Sequence, residues 1–163
     1  MAEWLVAGAG IGGLATALAL QGLGLQTQVW EQSASFGEAG AGIQLGPNVI
    51  RILRHWGLGD ALHQQAVQPL ALLSCDALSG QELGRLDLQA AAIRYGAPYL
   101  TIHRADLQAL LLAALDTSKV STTLGQALSD VSLGADGSLV VTNTRGERRQ
   151  PDALIGADGL WSQ

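Results

Sequence analysis

The sequence opens with a strand–loop–helix–strand pattern that constrains the fold more than any other feature. Residues 3–7 predict a short buried strand, residues 11–23 an Ala- and Leu-rich helix, and residues 26–31 a second strand. Two strands joined through one helix are expected to lie parallel, with a right-handed crossover. The first 31 residues therefore predict a Rossmann-like βαβ unit in a parallel sheet that is covered on both faces.

The loop between the first predicted strand and the helix carries three glycines in GxGxxG order. Gly8 permits the tight turn after the strand, Gly10 lets the backbone approach a pyrophosphate, and Gly13 lets the helix pack closely on the strand. The helix begins at this loop, so its N–H groups and positive dipole end would face the phosphates. The loop therefore predicts a dinucleotide site, although glycines also cluster in ordinary turns.

An acidic residue follows at the place where a dinucleotide site needs one. Glu31 lies 18 positions after Gly13, at the end of the second predicted strand. A carboxylate there accepts hydrogen bonds from the hydroxyls of the adenosine ribose and disfavours a 2′-phosphate. The pattern thus favours NAD or FAD over NADP, and the motif alone leaves the first two open.

The rest of the chain adds antiparallel strands to this unit. A helix is predicted from Pro47, with Val49, Ile52, Leu53 and Trp56 on its buried face. Turn signals at 79–80, 136–137 and 145–146 separate short strands. The apolar segment 153–157 is expected to return to the central sheet. The fold class is therefore α/β with an inserted antiparallel portion.

Composition and charge narrow the function classes. The net charge of -5 argues against nucleic-acid binding, which needs clustered cations. Hydrophobic residues make 48% of the chain and charged residues 14%. This composition indicates either a large core or apolar surface that packs on other polypeptide, and it leaves open a dimer through exposed apolar surface.

The cysteine, the histidines and the apolar runs bear on the compartment of the protein and on metal or nucleophilic sites. The single cysteine, Cys75, is expected to be a buried structural thiol in a protein of the reducing cytoplasm. No signal peptide and no run of about 18 apolar residues is found, so neither secretion nor a membrane span is expected. The three histidines lack metal-ligand spacing, and no metal site or nucleophilic triad is predicted.

Three later stretches carry a family resemblance: "GAGIQLGPNVIRILRHWGL" (40–58), "HRADLQALLLAAL" (103–115) and "DALIGADGLWS" (152–162). In order and spacing they resemble the FAD-binding half of the single-component FAD-dependent aromatic hydroxylases, which include salicylate and 3-hydroxybenzoate hydroxylases. The resemblance covers essentially the whole chain. It implies the glutathione-reductase-like fold of these flavoprotein monooxygenases, in truncated form.

The resemblance also implies further cofactor-binding residues. Arg104 would contact the FAD near its phosphates and ribityl chain, and a guanidinium at a helix start suits those oxygens. Asp158 and Gly159 match the family's "DG" motif, which also assists binding of the nicotinamide donor. Gly42 and Ile43 would lie in a loop that approaches the flavin ring.

The sequence departs from the family pattern after this motif. The family's later "GD" flavin motif and its substrate domain do not occur, so residues 1–163 are expected to be an incomplete N-terminal FAD-binding domain. The resemblance implies that the longer enzyme hydroxylates a small aromatic substrate with O2 and with NADPH or NADH. No catalytic side chain is identified, and the chain alone is expected to be inactive. An FAD-dependent epoxidase, an antibiotic-modifying oxygenase and a non-catalytic dinucleotide-binding module remain alternatives.

Overall fold

The structure is a computed structural model that describes residues 3–37 and 41–162, without the side chain of Trp161. The stretch quoted above from Gly40 therefore begins one residue outside the described part. The first elements in chain order are β1 (Glu3–Ala7), α1 (Ile11–Gly22) and β2 (Gln26–Glu31). The middle elements are β3 (Gly42–Leu45), α2 (Pro47–His55), α3 (Gly59–Gln65), β4 (Ala71–Cys75), β5 (Glu82–Asp87), α4 (Leu88–Tyr95), β6 (Leu100–His103) and α5 (Arg104–Ala113). The last elements are β7 (Val120–Leu124), β8 (Leu128–Leu133), β9 (Leu139–Asn143), β10 (Arg148–Arg149), β11 (Ala153–Gly156) and a 3-10 turn, η1 (Gly159–Trp161).

The described residues fall into two compact units. Residues 3–37 and 111–162 form the first unit, and residues 41–110 form the second. The first unit contains a four-stranded parallel sheet in the order β11-β1-β2-β7. An antiparallel three-stranded sheet, β10-β9-β8, belongs to the same unit. The βαβ unit and the return of the last strand to the central sheet are thus confirmed.

Two apolar layers bury the faces of the parallel sheet. The register pairs Ala7 with Trp30, so both side chains lie on one face of the sheet. On this face Leu5, Trp30 and Val141 form a buried cluster, and Val141 comes from the antiparallel sheet. Val6 and Val29 are fully buried on the opposite face, where α1 packs on β1 and β2. The apolar residues 5–7 of β1 and 29–30 of β2 are buried because both faces of the sheet are covered.

The second unit combines helices with two antiparallel pairs of strands. β3 pairs with β6, and β4 pairs with β5 as a hairpin. Ile102 of β6 and Leu45 of β3 are buried, whereas the hairpin exposes large apolar side chains. Leu72 and Leu86 are cross-strand neighbours on one face, and Leu73 lies on the other. Both faces of the hairpin therefore expose leucines to solvent.

Several sequence-based expectations were wrong in this second unit. Ile52 was expected in the buried face of α2 but is 51% exposed, because Ile50 and Leu53 are the residues that turn inward. Cys75 was expected to be buried but is exposed, because it lies at the end of a hairpin whose side chains are mostly exposed on both faces. The segment containing Gly42 and Ile43 was expected to be a loop, but it pairs with β6 as strand β3.

Candidate cofactor-binding site

Two of the three motif glycines are required by the fold itself. Gly8 has a φ of +102°, which L side chains rarely adopt, and a Cβ there would lie 2.7 Å from the carbonyl carbon of Ala157. A Cβ on Gly13 would collide with the carbonyl oxygen of Gly8. The backbone around Gly8 is held by hydrogen bonds from its N–H to the carbonyl of Trp30 (2.7 Å) and from the N–H of Ala157 to the carbonyl of Ala7 (2.7 Å). The loop, the helix and β11 therefore approach one another at backbone distance.

Gly10, in contrast, is not required by any protein contact. Its φ of -66° and ψ of -179° are open to every residue type, and a Cβ there would have no atom within 4 Å. Gly10 is the N-cap of α1, but it offers no side-chain acceptor, and the first turn of the helix has no acidic residue. No side chain at Gly10 therefore caps the N-terminal amides of α1, and the space where such a side chain would lie is open. Such a helix start is suited to a phosphate.

Glu31 is placed beside this loop by strand β2. Its Oε2 accepts a hydrogen bond from the backbone N–H of Ala9 (2.7 Å), and its Oε1 accepts one from the N–H of Ser33 (2.8 Å). Each carboxylate oxygen has more than one lone pair, so further acceptance from ligand hydroxyls is available. The carboxylate therefore joins the end of β2 to the glycine loop and keeps acceptor capacity for a ligand.

The "DG" segment reaches the same region from the other end of the chain. β11 pairs in parallel with β1, and the Cα of Asp158 lies 3.0 Å from the position that a Cβ on Gly8 would occupy. Asp158 precedes η1, and Gly159 has a φ of +80° that favours glycine. Six predicted site residues are thus brought together in the first unit: Gly8, Gly10, Gly13, Glu31, Asp158 and Gly159.

The three remaining predicted residues lie together in the second unit. Gly42 is paired with His103 in the register of β3 and β6, and the backbone N–H of Arg104 donates to the carbonyl of Ala41 (2.9 Å). Arg104 is the first residue of α5, as expected. Ile43 is half-buried opposite Ile102. The strand pairing therefore places the backbone of Arg104 next to that of Gly42, although they are 62 positions apart in the sequence.

The sequence analysis did not identify the residues whose backbone N–H groups hydrogen-bond to the end of β2. The N–H of Gln126 donates to the carbonyl of Glu31 (2.8 Å), and the N–H of Gly125 donates to the carbonyl of Ser33 (2.9 Å). The sequence offered only a weak signal, a glycine directly after strand β7.

Among the residues that the structure describes, no cluster of His, Cys, Asp or Glu could hold a metal ion, and no helix is long and apolar enough to cross a bilayer.

The fold and these contacts define a class of protein: an α/β dinucleotide-binding domain with a parallel sheet, a glycine loop at a helix start and an acid at the end of the second strand. Comparison with known families identifies it further. The family model described as "FAD binding domain" matches residues 1–163, and the chain belongs to this family. FAD is thus the dinucleotide that the family relationship supports, and the choice left open between NAD and FAD is resolved in favour of FAD.

Curated relatives share this domain. The chain is 41% identical over 160 residues to 3-hydroxybenzoate 6-hydroxylase of Polaromonas naphthalenivorans and 41% identical over 160 residues to 6-hydroxynicotinate 3-monooxygenase of Pseudomonas fluorescens. Each match covers 97% of this chain and 40% of the relative. The chain therefore spans about two-fifths of the length of these relatives, which agrees with the expectation that it is the FAD-binding portion of a longer enzyme.

Solved structures show the same architecture. Klebsiella pneumoniae HpxO complexed with FAD and uric acid matches with a TM-score of 0.82 and 31% identity, covering 99% of this chain and 40% of that chain. An HpxO variant complexed with FAD gives a TM-score of 0.85 at 29% identity and covers 41% of that chain. The expected fold class, that of the FAD-dependent hydroxylases, is confirmed.

Proposed function

We propose that this chain binds the ADP half of FAD at the glycine loop and forms the FAD-binding portion of an aromatic-ring monooxygenase. The observation that carries the proposal is the open space at Gly10. The fold requires glycine at Gly8 and Gly13, whereas the missing side chain at Gly10 has no explanation within the described protein. A pyrophosphate that approaches the backbone at the start of α1 would supply that explanation.

The other first-unit residues have separate roles in this proposal. Glu31 accepts hydrogen bonds from the ribose hydroxyls while it holds the N–H groups of Ala9 and Ser33. Asp158 and Gly159 offer a carboxylate and a close backbone approach next to Gly8. Because a 2′-phosphate would bring negative charge against the Glu31 carboxylate, this site should reject NADP at that position.

We assign the second-unit residues to the same cofactor on the strength of the family relationship. Arg104 would bind phosphate or ribityl oxygens through its guanidinium, and the backbone of Gly42 and Ile43 would support the flavin ring. In Gly42 a Cβ would have no atom within 4 Å, so the described protein does not require glycine there either. When bound, FAD would supply the redox chemistry, and these residues would bind and orient it.

The longer protein would hydroxylate an aromatic or heteroaromatic ring with O2 and with NADH or NADPH as the electron donor. The names of two relatives, a 3-hydroxybenzoate hydroxylase and a 6-hydroxynicotinate monooxygenase, support this proposed activity. The described residues offer no constellation of catalytic side chains, so the 163-residue chain alone should not turn over. We further propose the reducing cytoplasm as its compartment, because its single cysteine cannot form an internal disulfide.

We further propose that residues 1–163 form an incomplete FAD-binding domain, which other polypeptide of the longer protein would complete. The β4–β5 hairpin supports this proposal, because a two-stranded sheet is marginal alone and this one exposes Leu73 (53%) and Leu83 (67%). Further polypeptide of the longer protein would cover the hairpin. A dimer through the same apolar surface stays a prediction.

A binding titration tests the proposed function. The purified chain is titrated with FAD by flavin fluorescence and calorimetry, with NAD as competitor, alongside Glu31→Ala and Arg104→Ala. Saturable FAD binding that NAD does not displace, weakened about tenfold by each substitution, is the expected result. Gln32→Ala is the matched control for Glu31→Ala, because Gln32 is the exposed next residue. Preferential binding of NAD by the folded chain would contradict the proposal.

A turnover assay tests the expected inactivity. Consumption of NADH or NADPH is followed in the presence of FAD, O2 and either 3-hydroxybenzoate or 6-hydroxynicotinate. The 163-residue chain should show no substrate-dependent hydroxylated product. Sustained formation of such a product would show that the chain contains a complete active site.

A further inference from the structure

A polar cluster of two buried amide side chains and one exposed carboxylate lies next to the end of the strand that carries Glu31. It consists of Gln126, Asn143 and Glu147, and we call it the Glu147 cluster. The side chains of Gln126 and Asn143 are 6% and 1% exposed. A single oxygen, Oε2 of Glu147, accepts from Nε2 of Gln126 (3.0 Å) and from Nδ2 of Asn143 (3.1 Å). One carboxylate oxygen thus satisfies two buried amide groups.

The cluster also fixes the turn between β9 and β10. Oδ1 of Asn143 accepts hydrogen bonds from the backbone N–H groups of Arg145 (3.0 Å) and Glu147 (2.9 Å). The backbone N–H of Asn143 donates to the carbonyl of Glu147 (3.0 Å). Because the backbone of Glu147 is hydrogen-bonded to Asn143, the position from which its side chain extends to Gln126 is restricted.

Backbone hydrogen bonds then connect the Glu147 cluster to the proposed ribose acceptor. The N–H of Gln126 donates to the carbonyl of Glu31, and the N–H of its neighbour Gly125 donates to the carbonyl of Ser33. The Glu31 carboxylate in turn accepts from Ser33 and from Ala9 of the glycine loop. A continuous set of hydrogen bonds therefore runs from the β9–β10 turn to the glycine loop.

We propose that Gln126, Asn143 and Glu147 are positioning residues that hold the Glu31 carboxylate in the orientation required for the ribose of FAD. The inference rests on the proposed function of this site. None of the three needs to touch the cofactor. Loss of the Glu147 carboxylate would remove the acceptor that the buried amides of Gln126 and Asn143 share, and the Gln126 segment would rearrange around the lost contact. The hydrogen bond from the Gln126 N–H to the Glu31 carbonyl, which extends the β2–β7 pairing by one contact, would shift with it.

A second turn of the same antiparallel sheet provides a matched control. At the β8–β9 turn, Oδ1 of Asp136 accepts from the N–H of Ser138 (3.0 Å), a local contact similar to those of Asn143. This turn joins β8 and β9 at the end of the sheet away from the Glu147 cluster, and no hydrogen bond among the described residues connects it to β2. A substitution there should weaken the antiparallel sheet without displacing Glu31.

The test compares Glu147→Ala, Glu147→Gln and Asp136→Ala in the 163-residue chain, all measured well below their unfolding temperatures. Glu147→Ala should raise the Kd for FAD about tenfold, the factor equivalent to one hydrogen bond. Glu147→Gln should restore the Kd to within about twofold, because its amide oxygen can accept from both Gln126 and Asn143. Asp136→Ala should lower the unfolding temperature and leave the Kd within about twofold. Equal loss of FAD affinity in Glu147→Ala and Asp136→Ala would overturn the proposal.

A cofactor-free measurement separates this inference from the proposed function. Amide hydrogen exchange of Ala9 and Ser33, whose N–H groups donate to Glu31, is measured without FAD. Both amides should exchange at least several-fold faster in Glu147→Ala and at the original rate in Glu147→Gln and Asp136→Ala. Unchanged exchange in Glu147→Ala would refute the positioning role. Absence of FAD binding by the unsubstituted chain, in contrast, would refute the proposed function.

Discussion

The carboxylate of Glu31 accepts a hydrogen bond from the backbone N–H of Ala9 at 2.7 Å. Ala9 lies in the middle of the glycine loop, and Glu31 is the last residue of β2, so this contact joins the two elements that a dinucleotide would bridge. The second carboxylate oxygen accepts from Ser33 at 2.8 Å. Glu31 therefore has a structural role in addition to the proposed contact with a ribose.

Removal of this carboxylate should affect both stability and binding. Glu31→Ala leaves the N–H groups of Ala9 and Ser33 without their acceptor, which should lower the free energy of unfolding by about 1–3 kcal/mol. Urea unfolding measures this change. Gln32→Ala, an exposed neighbour on the same segment, should stay within about 0.5 kcal/mol of the original chain. Equal stability of the two variants would contradict the structural role of Glu31.

Neighbouring glycines of α1 should respond in opposite directions to the same substitution. Gly13→Ala places a Cβ against the carbonyl oxygen of Gly8 and should cost about 1–3 kcal/mol or more through overpacking. Gly12→Ala meets no atom within 4 Å and should be neutral or stabilise the helix by about 0.5–1 kcal/mol. Thermal unfolding of both variants distinguishes the two. A stable Gly13→Ala protein would show that the helix and the loop are not in close contact.

Substitution of Gly10 should separate binding from folding. Gly10→Ala adds a methyl group in open space at a conformation that alanine adopts freely, so the unfolding free energy should change by less than about 0.5 kcal/mol. The Kd for FAD should rise about tenfold or more, because the methyl group lies where the pyrophosphate would approach the backbone. Calorimetry and urea unfolding on one sample measure both quantities. An unchanged Kd would remove the main support for a phosphate at this helix start.

Acid should weaken the β4–β5 hairpin through its turn. Hydrogen bonds from the N–H and hydroxyl of Ser79 and from the N–H of Leu78 hold the pKa of Asp76 below its ordinary value of 3.8. A pKa that is lower in the folded state contributes stability above pH 3.8, and this contribution is lost as the pH falls through the folded-state pKa. Asp76→Asn keeps an acceptor without the charge.

The stability difference between the original chain and Asp76→Asn should therefore be larger at pH 6 than at pH 3. Urea unfolding followed by the amide signals of Leu78 and Ser79 would measure it. A difference that grows on acidification would have the wrong sign and would contradict this account of the turn. Hydrogen bonds from Ser138 likewise hold the pKa of Asp136 below its ordinary value, so Asp136→Asn should show the same pH dependence.

Local patterns in the sequence were sufficient to predict the first unit's central elements. Strand β1, helix α1 and strand β2 were placed within one residue because apolar runs and glycine stop signals are properties of neighbouring residues. Helix α4 was missed, although Asp87 caps it with hydrogen bonds to Gln89 and Ala90 and Gly96 ends it at a φ of +73°. Both signals lie in the sequence of the segment itself.

Other features could not be read from any short stretch. The exposure of Cys75 and Ile52 depends on which elements cover them, and apolar residue type alone does not show whether a covering layer exists. Strand β3 forms because β6, more than 50 positions later, supplies its hydrogen-bond partners. Pairing between distant segments is a property of the folded chain.

The βαβ unit, the glycine loop and the acid at the end of β2 can be read from the amino-acid sequence, because each depends on residues that lie close together in the chain. Three contacts become visible only in the folded chain: Gly8 lies against Ala157, Glu31 is bonded to Ala9, and Glu147 accepts from Gln126. In each case, polar groups and close backbone contacts are satisfied by partners that packing brings within reach, and those partners are remote in the sequence.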